Sequence, residues 1–128
     1  MRPYENRNLL TSVRCASQGL WHVLRSERNA RYHLIAGLLV LALSAWLRLS
    51  ALGWCLVIVA ITLVFVGEML NSVVERLVDL SVSTPHPLAG QAKDVAAGAV
   101  LVASVAAALI GVLVLVPPLW ERLSVLFR

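Results

Sequence analysis

Three interior stretches of this chain contain no Asp, Glu, Lys or Arg: residues 32–47, 49–67 and 95–120. A helix needs roughly 20 apolar residues to cross the hydrocarbon core of a bilayer, where every backbone group must be satisfied internally. The first stretch is short for that task and crosses only if Arg48 snorkels outward. The second is long enough, and residues 68–79 contain no Gly or Pro, so its helix is expected to continue past the membrane as an acidic extension. The third is expected to close at Pro117-Pro118, with Trp120 at interfacial depth. With 59% apolar and 14% charged residues in a chain of 128, the composition excludes an ordinary water-soluble domain. The expectation is an all-α integral membrane fold, one domain over residues 1–128, with spans near 32–48, 51–79 and 94–118. Because the apolar stretches are interior and none leads into a small-residue cleavage site, they are expected to belong to the mature protein.

Charge distribution orients these spans. Arg2, Arg7, Arg14, Arg25, Arg28 and Arg31 all precede the first apolar run, whereas the formal net charge is only +4. Such a bias reads as a topology signal and not as a nucleic-acid footprint, so no nucleic-acid partner is expected. It puts the N-terminus and the 80–92 loop in the cytoplasm and the 48–53 turn outside. The C-terminus then lies outside, against a mild opposing pull from Arg122 and Arg128. Residues 9–24 interleave Leu9, Val13, Leu20 and Leu24 with Arg14, Gln18 and His22, a pattern suited to an interfacial amphipathic helix over about residues 7–28. Cys15 and Cys55 offer no disulfide framework and no paired metal-ligand spacing.

Polar residues concentrate at one edge of this arrangement. At about 100° per residue, Glu68, Ser72, Glu75 and Asp79 fall within a stripe of about 60°, with Asn71 beside it and Arg76 off it. Carboxylates stacked in this way repel unless they share a cation, retain a proton, or meet a basic neighbour. Mg²⁺ suits such oxygen ligands and takes the rest of its shell from substrate phosphates; the plainer reading is a solvated acidic helix end, which suffices for Asp79 alone. Lys93, the one lysine, and Asp94 are expected at the start of the third span, where exposed N–H groups and an ammonium form a phosphate site. Asp94 could equally cap that helix, and Lys93 could equally be a positive-inside anchor. Glu27 precedes the first span and can face the same layer as Glu75, while His22 and His33 read as interfacial hydrogen-bonding groups and not as ligands. No Gly-rich phosphate loop and no Ser/His/Asp hydrolase pattern occurs, so any nucleotide must be held by metal, Lys93 and helix ends.

The string Glu68-x-x-Asn71-Ser72-x-x-Glu75-x-x-x-Asp79, followed by His86-Pro-Leu-Ala-Gly-Gln-Ala-Lys93-Asp94-Val-Ala-Ala-Gly-Ala-Val-Leu101, resembles the pattern of the prokaryotic diacylglycerol kinase and undecaprenol kinase family. With Glu27-x-x-x-Arg31, the resemblance covers roughly residues 14–116. It implies a homotrimeric helical bundle in the bacterial inner membrane, Mg²⁺-dependent use of ATP, and active sites at the cytoplasmic membrane edge between protomers. It implies Glu68 as general base at the lipid hydroxyl, with Glu27 and Glu75 holding the metal with ATP; Glu75 also lies near the transferring phosphate in such a site. Lys93 and Asp94 match phosphate contacts, His86 a loop flanking the nucleotide, and Asn71 and Asp79 polar members of the same helix face. Cys15 departs from the family, standing where the diacylglycerol branch has an aromatic residue. The stretches 27–33 and 86–89 resemble the undecaprenol branch, so undecaprenol is the expected substrate. Diacylglycerol is the alternative, and a non-enzymatic subunit with an acidic proton- or partner-binding face is a further one.

Overall fold

The computed structural model describes residues 8–126, so Arg2, Arg7 and Arg128 lie outside the described residues. Four helices follow one another: α1 (Leu9–Ser26), α2 (Arg28–Leu47), α3 (Ala51–Ser81) and α4 (Pro87–Leu126). No strand occurs among the described residues, and α2, α3 and α4 are each long and apolar enough to cross a membrane. Cys15 and Cys55 are free.

α1 starts where the Asn8 side chain accepts hydrogen bonds from the Thr11 N–H at 3.1 Å and the Thr11 hydroxyl at 2.6 Å. It buries only Val23 against the rest of the chain, leaving Leu9, Leu10, Val13 and Trp21 exposed, as an interfacial helix would. Glu27 adopts an extended conformation, φ −98° and ψ 120°, and so separates α1 from α2. Arg31 secures the corner: its Nη1 donates to the Arg25 carbonyl at 3.0 Å and to the Leu24 carbonyl at 3.4 Å, both in the last turn of α1.

Ala30, Gly37 and Ser44 recur every seven residues of α2 and are buried, a small-residue stripe of the kind that lets membrane helices approach closely. The Ser44 hydroxyl is satisfied within its own helix by the Val40 carbonyl, 2.8 Å away. A Cβ added at Gly37 would stand 3.2 Å from Ile61 Cγ2, so α3 lies directly over this position. The connection to α3 is tight: Arg48 takes the left-handed conformation, φ 56° and ψ 52°, and Ser50 then caps α3 by accepting from the Gly53 N–H at 3.2 Å.

α3 buries Gly53, Val57, Ala60, Val64, Glu68 and Ser72, one stripe that turns from apolar to polar at Glu68. Its 31 residues span about 46 Å at 1.5 Å per residue, well beyond the roughly 30 Å hydrocarbon core. The acidic extension expected past the membrane is therefore continuous helix. α4 packs antiparallel along it in the largest interface of the fold, with Gly67 brought against Val100.

α4 departs from the expectation at both ends. It begins at Pro87, where the fixed φ of proline suits a first helical position and the His86 side chain accepts the Leu88 N–H at 3.2 Å. Lys93 and Asp94 accordingly sit inside the helix and not at its start. At the other end the helix runs through Pro117 and Pro118 to Leu126. Membrane helices tolerate such interruption, because neighbouring groups meet the freed carbonyls. Arg122, in this last part of α4, lies 4.8 Å over the Trp46 ring and ties it to the end of α2.

Gly37→Val forces a branched side chain against Ile61 and is expected to destabilise the fold by about 1–3 kcal/mol. Thermal unfolding in micelles reads the loss, and Ile61→Ala in the same chain should restore part of it. An unchanged midpoint in the single variant would show that α2 and α3 do not meet at this contact.

Candidate active site

The polar end of α3 meets α1, α2 and α4 in separate, named contacts. Glu68 is 5% exposed, and its Oε1 lies 3.1 Å from His33 Nε2 on α2. One turn further on, the buried Ser72 hydroxyl donates to Glu27 Oε1 at 3.2 Å. The same oxygen accepts from Arg76 Nη2 at 3.2 Å and from the Ser26 hydroxyl at 3.2 Å, while Arg76 also donates to the Ser26 hydroxyl at 2.7 Å. Asn71 Nδ2 donates to Glu75 Oε1 at 2.9 Å along the helix. At the far end Lys93 Nζ bridges from α4 to Asp79.

Each stripe carboxylate thus has its own partner: an imidazole from α2 for Glu68, a carboxamide from the same helix for Glu75, and an ammonium from α4 for Asp79. Of the three ways to relieve stacked negative charge, basic and hydrogen-bonding neighbours account for what is seen within one chain. His86 serves as the cap of α4, and Asp94 is exposed on that helix.

Glu27 and Glu75 were expected to hold Mg²⁺. Among the described residues no three His, Cys, Asp or Glu side chains converge at metal-binding distance, so the protein supplies no closed cage. Asn71 Oδ1 is buried without a hydrogen-bond partner, on the side chain whose Nδ2 donates to Glu75. An all-oxygen set of one or two carboxylates and an unsatisfied amide oxygen fits a hard cation that keeps waters or phosphate oxygens on its open side.

The sequence model of the prokaryotic diacylglycerol kinase family matches residues 14–115. The chain belongs to that family. It is 40% identical to the undecaprenol kinase of Bacillus subtilis (strain 168) over 104 residues, 81% of this chain and 85% of that protein. It is 41% identical to the diacylglycerol kinase of Synechocystis sp. over 113 residues, 88% of this chain and 65% of that protein. The diacylglycerol kinase of Escherichia coli (strain K12) is 37% identical over 91 residues, 68% of this chain and 75% of its own. This lipid kinase, with helices able to cross a membrane, is a multi-pass membrane enzyme.

Sequence reasoning missed two contributors to the polar layer. Arg76 lies off the carboxylate stripe, yet it follows Ser72 by one helical turn and so reaches the same Glu27. The sequence alone presents His33 as an interfacial group, because nothing in it registers α2 against Glu68. The Ser72 hydroxyl is the buried link between α3 and the corner at Glu27. Ser72→Ala is therefore expected to lower stability by about 1 kcal/mol. A thermal midpoint in micelles equal to wild type would show that this bond does not hold the corner.

Proposed function

We propose that this lipid kinase transfers the γ-phosphate of ATP, with Mg²⁺, to the hydroxyl of undecaprenol at the cytoplasmic edge of the membrane. The observation that carries the reading is the buried Glu68 at the point where the apolar stripe of α3 becomes polar, with Asn71, Glu75 and the Ser72-bound Glu27 lying one to two turns further along. A lipid alcohol arriving sideways from the bilayer meets Glu68 at that boundary, while a nucleotide arriving from water meets the layer beyond it. The arginines at positions 14, 25, 28 and 31 support a cytoplasmic setting for that layer.

In the reaction, the lipid oxygen attacks the γ-phosphorus, the bond from that phosphorus to the β–γ bridging oxygen breaks, and ADP leaves. Glu68 accepts the hydroxyl proton as the new bond forms. Glu27 and Glu75, with the Asn71 oxygen, would hold Mg²⁺, which when bound would neutralise charge at the phosphates. Lys93, oriented by Asp79, reaches the phosphates from α4, and Asp94 and His86 border the nucleotide from the same helix and its start. Sites lie between protomers of a homotrimer, where a second copy closes the open side of this layer. That arrangement also covers apolar faces such as Leu101, Leu109 and Leu113 of α4, which one chain leaves exposed to lipid or to its own copies.

Undecaprenol is favoured by the likeness of residues 27–33 and 86–89 to the undecaprenol branch and by the Bacillus relative matched over most of its length. Diacylglycerol is the second reading, favoured by the similar identity to the Synechocystis enzyme. Purified protein in mixed micelles with ATP, Mg²⁺ and the two lipids in parallel decides between them. A kcat/KM for undecaprenol at least about tenfold higher is expected; the reverse ratio selects diacylglycerol, and no transfer to either lipid overturns the proposal. Glu75→Gln should abolish transfer while leaving insertion intact, and Lys93→Met should lower kcat/KM by about 10². Near wild-type activity in either variant would remove that residue from the site.

A further inference from the structure

Glu68 is the most enclosed carboxylate of the described residues, and a carboxylate so placed is stable only when hydrogen-bonded. Its partner comes from a different helix: His33 Nε2, 3.1 Å from Oε1. His33 is itself one-third exposed and stands at one end of a cavity of about 390 Å³ between α2, α3 and α4. The rest of that cavity is apolar or small, with Gly37, Val40, Val64 and Ala107 among its walls. A group entering this cavity from the hydrocarbon therefore meets the imidazole, and Glu68 Oε1 lies 3.1 Å behind it.

We propose that His33 is a positioning residue for phosphoryl transfer, an inference that rests on Glu68 being the base. The imidazole donates its Nε2–H to Glu68 Oε1, which fixes the tautomer and holds the carboxylate in one rotamer. Oε2 is then the oxygen left to take the lipid hydroxyl proton. Without the bond, the carboxylate swings among rotamers and leaves the line between hydroxyl and γ-phosphate, and small misplacement of a reacting group is expensive in rate. The nucleotide is held on the far side of this pair, by residues one and two turns further along α3, so its binding does not depend on His33.

Three substitutions separate positioning from packing. A glutamine amide N–H reaches about the place of Nε2, an asparagine amide falls short of it, and leucine fills space with no donor. His33→Leu and His33→Asn are expected to lower kcat for lipid phosphorylation by about 10- to 100-fold, the worth of one hydrogen bond to a charged group. KM for ATP should stay within about twofold, and His33→Gln should keep kcat within about threefold of wild type. In a Glu68→Gln background, His33→Leu should cause no further loss, because the group it positions is gone. Wild-type kcat in His33→Leu, equal impairment of Asn and Gln, or losses that multiply with Glu68→Gln would each overturn the proposal. Should His33→Leu fail to assemble, the Asn and Gln pair carries the same test with polar side chains. Failure of the base assignment is read separately: a Glu68→Gln variant that keeps its kcat, or one whose weakened ATP binding is restored by excess Mg²⁺, removes both claims, whereas an inactive Glu68→Gln with unchanged ATP binding beside an active His33→Leu removes His33 alone.

Discussion

The fold turns on the placement of a carboxylate at the limit of the hydrocarbon. Glu68 continues the stripe that begins with Val57, Ala60 and Val64, so it enters the helix interface and not the solvent. A charge in that position is costly unless another element brings it a hydrogen-bond donor. The donor is His33, and its presence sets the register of α2 against α3. From that point outward, α3 reaches two further neighbours: Glu27 at the corner of α1 and α2 through Ser72 and Arg76, and Lys93 of α4 through Asp79. The polar layer is thus also the clamp that joins the four helices at one end.

At the other end the joint is made differently. Arg48 turns the chain in a left-handed conformation, Ser50 caps α3, and Arg122 stacks on Trp46. Between the two ends small residues do the packing: Gly37 lies under Ile61, and Gly67 lies against Val100. Many large apolar side chains, Leu39, Leu101 and Leu113 among them, are exposed on the outer faces, as lipid is as apolar as the side chains themselves. Apolar scaffold and polar layer are therefore parts of the same helices.

Much of this is legible in the sequence because the strongest constraints are one-dimensional. Uncharged runs give the spanning helices, and the 68–79 segment reads as a helical extension because nothing in it breaks a helix. Four-residue spacing places Ser72 and Arg76 on one side of α3, yet attention to carboxylates alone hid the arginine. The ends of α4 lie beyond the expected span for two reasons: Pro87 occupies a first-turn position that proline favours, and Pro117-Pro118 interrupt the backbone ladder without ending the helix, an interruption that membrane helices tolerate. The contact of His33 with Glu68 depends on how two helices meet, which no local spacing records.

Division of labour along α3 is the central claim: proton acceptance at Glu68, nucleotide and metal held by the turns beyond it. The measurement that tests it most directly is ATP affinity of Glu68→Gln across a Mg²⁺ series, set beside its kcat. The account predicts that kcat collapses while ATP binding matches wild type at every Mg²⁺ concentration. Weakened ATP binding that excess Mg²⁺ restores would contradict it, making Glu68 a metal ligand and moving proton acceptance to Glu75.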